Sequence, residues 1–306
     1  MAAHDRRAGR EISAPRDDLT ESPGRHRGGT RIAVFWSARK TTDLTFRFEN
    51  VSIHPTAEID DDVEIGPFSV IGPNCRIGDG CRLHNNVTIL QNTILGRDNE
   101  VYPGAVLGAD PQDKKFEGEQ TWVFIGDGNT IRENVTVNAG TRLGGGKTVI
   151  GSRNLLMAGC HVAHDCTLED GIILANNVLL GGHVWVESHA NLGGMSAVHH
   201  FATIGRGAFV GGMSRVNQDV PPYLLAEGNP CRARAINKVG LRRRGVSFEA
   251  QEALKRAHRI LYRRRLPRSD ALAILERDGA GFEEVSYLIG FLRRIEHGNK
   301  GRARQP

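Results

Sequence analysis

Ile53-His-Pro-Thr-Ala-Glu-Ile59-Asp-Asp-Asp-Val-Glu-Ile65-Gly-Pro-Phe-Ser-Val-Ile71-Gly-Pro-Asn-Cys-Arg-Ile77 places an isoleucine at every sixth residue. The step continues through Leu83, Ile89, Leu95, Val101 and Leu107, and returns at Ile125, Ile131 and Val137. It runs again from Ile150 to Val216, giving 25 aliphatic positions in three runs. A helix would repeat at 3.6 and a half-buried strand at 2. A strict six marks the hexapeptide repeat of a parallel β-helix. Three hexads make one triangular coil, with the aliphatic side chain inward from each flat side. Stacked coils are separated by about 4.8 Å, so the repeats predict a rod of about nine coils, on the order of 45 Å long.

The residue two before each aliphatic position must be small. Ala57, Ser69, Cys75, Cys81, Ala105, Cys160, Cys166, Ser196, Ala202 and Ala208 fit. Four of the five cysteines therefore read as reduced core residues. Gly66, Gly72, Gly78, Gly96, Gly108, Gly126, Gly151 and Gly205 follow the aliphatic residue, where a sharp turn is expected.

Residues 1–48 are polar, without periodicity, and read as a disordered extension, with Phe46 and Phe48 placed to cover the first coil. The β-helix is assigned to 49–222. At 108–121 the hexad positions become Asp113 and Glu119, which cannot fill an apolar core unpaired, so this segment leaves the prism as a loop. Gly140-Thr-Arg-Leu-Gly-Gly-Gly-Lys147 shifts the register by one and reads as a short bulge, not a phosphate loop. Gln218-Asp-Val-Pro-Pro-Tyr223 stops the coils. Residues 223–298 are assigned to an α-helical domain, with Ser247 as an N-cap. Residues 299–306 form a polar tail.

No apolar run reaches 18 residues and no secretory signal is legible, so a cytoplasmic protein is expected. The net charge is +5, but residues 231–268 carry 13 Lys or Arg against two acids. That local patch implies an acidic or phosphorylated partner.

The histidines concentrate in one part of the rod. One coil beyond His164 lies position 182, beside His183, and two coils beyond lies His200, beside His199. They should stack along one edge. A histidine near its ordinary pKa of about 6.5 can take a proton from a hydroxyl at neutral pH. Asp165 is adjacent to orient it. Metal binding is the competing chemistry, since His161-x-x-His164-x-Cys166 has ligand-like spacing. Cys160 and Cys166 face inward, away from the histidines, and no metal site is assigned.

Asn154-Leu-Leu-Met157, His161-Val-Ala-His-Asp-Cys166, Leu174-Ala-Asn-Asn177, Gly193-Gly-Met-Ser-Ala-Val-His199, Gln218-Asp-Val-Pro-Pro-Tyr223 and Gly240-Leu-Arg-Arg-Arg-Gly245 resemble the UDP-N-acetylglucosamine O-acyltransferase family of lipid A biosynthesis. The resemblance spans about residues 51–297. It implies an all-β left-handed parallel β-helix with a C-terminal α-helical domain. It implies transfer of a 3-hydroxyacyl group from acyl carrier protein to the 3-hydroxyl of UDP-N-acetylglucosamine. His164 would be the general base, Asp165 its orienting partner, and the Gly182 N–H the oxyanion donor. His161, His183 and His199 would line the substrate site, with Gln112, Asp113 and Lys115 in a substrate loop. Asn237, Arg243 and Arg244 would meet nucleotide phosphates or the acyl donor. Gly212 would leave room for a longer acyl chain. No cofactor is implied, nor any nucleic acid. The acidic carrier protein suits the basic patch, and the resemblance implies a homotrimer with sites between rods. The chain departs from the family's pattern at Asn138-Ala-Gly-Thr141, where His-Arg-Gly-Thr is usual, and at His200, where Gln is usual. An amino-sugar acceptor and a zinc-dependent hydratase on the same fold remain the alternatives.

Overall fold

The computed structural model describes residues 50–278 and 281–306. The expectations for 1–48, including Phe46 and Phe48, lie outside the described residues. From Ser52 onward the chain winds a left-handed parallel β-helix. Each coil gives one short strand to each of three sheets, of nine, eight and ten strands. Ser52 pairs with Val70 and Leu179 with Ala197, a register of one coil. The hexad residues fill the prism: Ile71, Ile77, Leu83, Ile89, Leu107, Leu156 and Leu174 are fully buried. Burial of each such side chain is worth about 1.5–3 kcal/mol. Cys75, Cys81, Cys160, Cys166 and Cys231 are buried and free. Burial pushes the Cys160 thiol up to about 11 and that of Cys166 up to about 12, so both are inert at neutral pH.

The glycines after the aliphatic residues serve a different purpose from the one expected. Most have ordinary φ; the left-handed residue falls two positions later, as at Phe68, Asn74 and Asp98. What excludes a side chain is the next coil. A Cβ on Gly66 would lie 2.6 Å from the Asn85 nitrogen, and one on Gly151 would lie 2.8 Å from the Glu169 carbonyl oxygen. Gly108, with φ of 84°, is the exception that does turn.

The rod continues past the two prolines. Leu224–Glu227 pairs parallel with Phe209–Val210, and Arg232–Ile236 then returns antiparallel along it. The helices follow: α1 (Lys238–Arg243), α2 (Phe248–Arg263), α3 (Arg268–Asp278) and α4 (Glu283–Glu296). Ser247 Oγ accepts from the Ala250 N–H at 3.2 Å, the expected cap of α2. Leu254, Ala257, Leu272, Leu288 and Leu292 form their shared core. The last residues fold back onto the rod: Ala303 N–H donates to Asp219 Oδ2 at 2.8 Å, and Arg302 donates to the Asn217 carbonyl at 2.6 Å.

Candidate active site

The first and second sheets meet at one edge of the prism, and chemistry collects there. Strands His161–Val162, Leu179–Leu180 and Ala197–Val198 belong to the first sheet. The corners that follow them are stacked one coil apart. One column down this edge holds His164, Gly182 and His200. The next holds Asp165, His183 and Phe201, all left-handed with φ of 61°, 61° and 63°. Both register-breaking loops, 110–121 and 139–146, leave the rod at this same edge.

Asp165 is the hub. Its side chain is fully buried, and His164 Nδ1 lies 2.7 Å from Oδ2. Thr141 gives its N–H to Oδ1 at 2.8 Å and its hydroxyl to Oδ2 at 2.7 Å. The Asp165 N–H donates to Thr148 Oγ1 at 2.8 Å. Burial alone would raise the carboxyl's pKa, but the bonds from His164 and Thr141 outweigh it and hold the group below its ordinary value. Asp165 is therefore ionised and accepts only. The proton between the pair sits on His164 Nδ1, which leaves Nε2 as the basic nitrogen.

Gly182 explains why the histidine column skips a place. A Cβ there would lie 2.7 Å from His164 Nε2, so only glycine leaves space for the ring. The Gly182 N–H finds no acceptor among the described residues. His183 Nε2 stands 3.7 Å from Asp165 Oδ2, and its ring is edge-on to His164 at 5.2 Å. Burial lowers the pKa of His183 more than Asp165 raises it, so its ring is neutral at pH 7. His161 faces outward from the first sheet; Nδ1 lies 2.8 Å from Thr136 Oγ1, and burial lowers its pKa, with the neighbouring His164 adding to the effect. His199 and His200 lie side by side, 3.8 Å between ring centres.

The loop is brought to the same edge: the charge of Asp113 is felt at His183. Gln112 and Lys115 are exposed on it. Asn138 is buried at its root and donates to the Asp110 carbonyl at 2.8 Å, while its Oδ1 has no partner among the described residues. Arg302 and Arg304 on the tail also act on His200 and His183, a proximity that sequence spacing did not signal.

Three residues stand elsewhere. Asn237 caps α1 by accepting from Gly240 N–H, and donates to the Gly207 carbonyl. Arg244 lies over Gly207 and 5.8 Å from the Tyr223 ring, and burial lowers its pKa. Arg243 is exposed beside it. These contacts lie at the edge between the second and third sheets, with His189. Gly212 is exposed at the third edge, where a Cβ would face the Gly194 carbonyl oxygen at 3.2 Å. No helix among the described residues is long and apolar enough to cross a membrane.

Comparison with known proteins agrees in sequence and in shape. Residues 219–301 match the profile described as UDP N-acetylglucosamine O-acyltransferase, domain 2, and residues 147–182 match the bacterial transferase hexapeptide. Residues 47–143 match the GMPPB C-terminal domain. An acyl-[acyl-carrier-protein]–UDP-N-acetylglucosamine O-acyltransferase of Herminiimonas arsenicoxydans is 44% identical over 81% of this chain and 95% of its own. The chain belongs to the UDP-N-acetylglucosamine O-acyltransferase family. The corresponding Synechocystis relative is 48% identical over 68% of this chain and 76% of its own. A solved acyltransferase of the family from Bacteroides fragilis covers 80% of this chain and 96% of its own, at 41% identity and a TM-score of 0.79. Family membership thus accounts for both halves of the molecule, the rod and the helices behind it.

Proposed function

We propose that the chain transfers a 3-hydroxyacyl group from acyl carrier protein to the 3-hydroxyl of UDP-N-acetylglucosamine, the first step of lipid A biosynthesis. The observation that carries the mechanism is the 2.7 Å bond from His164 to a buried, ionised Asp165, with Nε2 turned toward Gly182. Nε2 takes the proton of the sugar hydroxyl as its oxygen attacks the thioester carbon. The Gly182 N–H donates to the resulting oxyanion. Collapse breaks the carbon–sulfur bond, and the proton on His164 passes to the departing sulfur. The products are the sugar ester and the carrier's free thiol. His161, His183, His199 and the Gln112, Asp113 and Lys115 loop hold the acceptor. Gly212 leaves room for the far end of the acyl chain.

Lys255, Arg256, Arg259 and Arg263 are exposed along α2, a cationic face suited to an acidic carrier protein. Asn237, Arg243 and Arg244 are remote from the histidine edge of their own rod. We therefore place them in the site of a neighbouring copy, in a homotrimer. The five free cysteines suit a cytoplasmic setting.

Mass spectrometry of product formed from UDP-N-acetylglucosamine and mixed acyl carrier protein thioesters tests the reaction. An O-acylated sugar nucleotide is expected, and His164→Ala should abolish it with the fold intact. Retention of a tenth of the rate would remove His164 as the base. Offering the 3-amino sugar in parallel separates the hydroxyl acceptor from the amino one. His164, Asp165 and His183 also hold their ligand atoms within 4.8 Å of one another, the observation that favours a zinc-dependent hydratase. One zinc per chain in protein purified without chelator, with activity lost on its removal, would establish that second reading.

A further inference from the structure

The glycine-rich bulge at 140–147 has no part in the reaction as described, yet it reaches the centre of the site. Thr141 is buried and opens a single 3₁₀ turn, Arg142–Gly144. Its Oγ1 accepts from the Gly144 N–H at 3.0 Å. That acceptance fixes the direction of the hydroxyl: its own hydrogen goes to Asp165 Oδ2, 2.7 Å away. The Thr141 N–H holds the other oxygen, Oδ1, at 2.8 Å. Both carboxylate oxygens are thus held from one residue. Gly144 lies against the carboxylate so closely that a Cβ would collide with it. The turn is tied in turn to the substrate loop, through the Arg142 N–H donating to Glu119 Oε1 at 3.1 Å.

The clamp answers a geometric problem. Asp165 Oδ2 has two histidines within reach, His164 at 2.7 Å and His183 at 3.7 Å. An unclamped carboxylate can rotate about its terminal bond and divide its time between them. We infer that Thr141 is the positioning residue that commits the Asp165 carboxylate to His164, and that the Gly140–Lys147 bulge exists to present it. The inference rests on the proposed base role of His164. Thr141 touches no reacting atom; it acts through Asp165.

The test uses the full-length protein and four variants. Thr141→Val removes the hydroxyl and keeps the shape; Thr141→Ser keeps the hydroxyl. Thr141→Val should lower kcat about ten- to a hundredfold, with KM for the sugar nucleotide within about threefold. Its acid limb of kcat/KM should move to lower pH, because a carboxylate that spends part of its time away from His164 stabilises the imidazolium less. Thr141→Ser should restore both to within about threefold. In an Asp165→Asn background, Thr141→Val should cost less than about threefold more, since the two act as one unit. A Thr141→Val enzyme with the parent's rate and pH profile overturns the inference, as does a Thr141→Ser enzyme equally impaired.

Proton NMR gives a readout that needs no turnover and no substrate. A downfield His164 Nδ1–H signal is expected of the 2.7 Å bond in the parent, and it should shift or broaden in Thr141→Val and return in Thr141→Ser. Its persistence unchanged in Thr141→Val overturns the inference even if the variant is slow. A parent protein that shows this signal but forms no O-acyl product counts against the proposed reaction and leaves the clamp standing.

Discussion

His183 and Phe201 lie one coil apart with their rings parallel, 4.3 Å between centroids and 5° between planes. The phenyl ring covers one face of the imidazole while Asp165 stands at its edge. Such a stack is worth about 0.5–1.5 kcal/mol beyond simple burial. Phe201→Ala should therefore lower kcat/KM up to about tenfold. It also admits water to His183, whose pKa burial now depresses. That pKa should rise, and the acid limb of the profile with it. Steady-state kinetics across pH 5.5–8 decides, and an unmoved acid limb would show that Phe201 is packing alone.

Gly182→Ala should separate catalysis from stability. The new Cβ would sit 2.6 Å from His164 Cε1, the outer end of a side chain that can swing away. Folding is thus spared, but Nε2 is displaced. A misplacement of about 1 Å costs about a hundredfold in rate. The expected result is a melting temperature like the parent's and kcat lower by about that factor.

Gly212→Met should shorten the preferred acyl chain. Gly212 is exposed beside Met195 and Met213, which are 63% and 74% exposed, so the surface there is already apolar. A third methionine would occupy the space a long chain needs. Competition between carrier thioesters of graded length reads the preference; the same distribution from parent and variant would remove Gly212 from the site.

Asp219 should give the fold an acid-side gain. Burial pushes its carboxyl up to about 6, above the ordinary value of about 3.9, against the bonds from Ala303 and Thr203 that lower it. The folded chain therefore binds this proton more readily than the unfolded chain. For this group, stability falls as pH rises from about 4 through about 6, and is regained on acidification. Calorimetry at pH 7.5 and 5.5 should show Asp219→Asn lacking part of the parent's relative gain at the lower pH. Identical pH dependence in both would refute the assignment.

Gly66→Ala should destabilise by about 1–3 kcal/mol without touching kcat, because the added methyl meets the backbone of Asn85 and His84 at 2.6 and 2.7 Å. Gly118→Ala is the comparison. It has open space but φ of 87°, so its cost comes from backbone conformation alone. Urea unfolding of the two variants separates crowding from dihedral strain.

The prism was legible because a six-residue period admits one architecture, and every residue in it repeats a rule. Ile71, Cys75 and Ile77 could be placed inward from spacing alone. His164 and its neighbours could be placed on one edge because a coil is a fixed length of chain. Where the rule breaks, legibility ends. Thr141 sits in the bulge, out of register, so no periodicity linked it to Asp165, 24 residues on. The stacking glycines were found for an incomplete reason, since the next coil's backbone is invisible in a linear sequence. The strand at Arg232–Ile236 was concealed because its alternating arginines read as charge, and because Pro221-Pro222 looked like an end.

The far end of the rod has a consequence for how the molecule behaves at high concentration. A stack of parallel strands finishes in a row of unpaired backbone groups, which invites another stack to continue it. Here each sheet is finished differently. Val220 covers the second sheet, bridging to Ile204. Cys231 N–H donates to the Arg215 carbonyl on the first. The third ends in a strand running the opposite way. A second rod approaching this end meets no parallel template in register, so the winding that builds the enzyme is not handed on here to another copy.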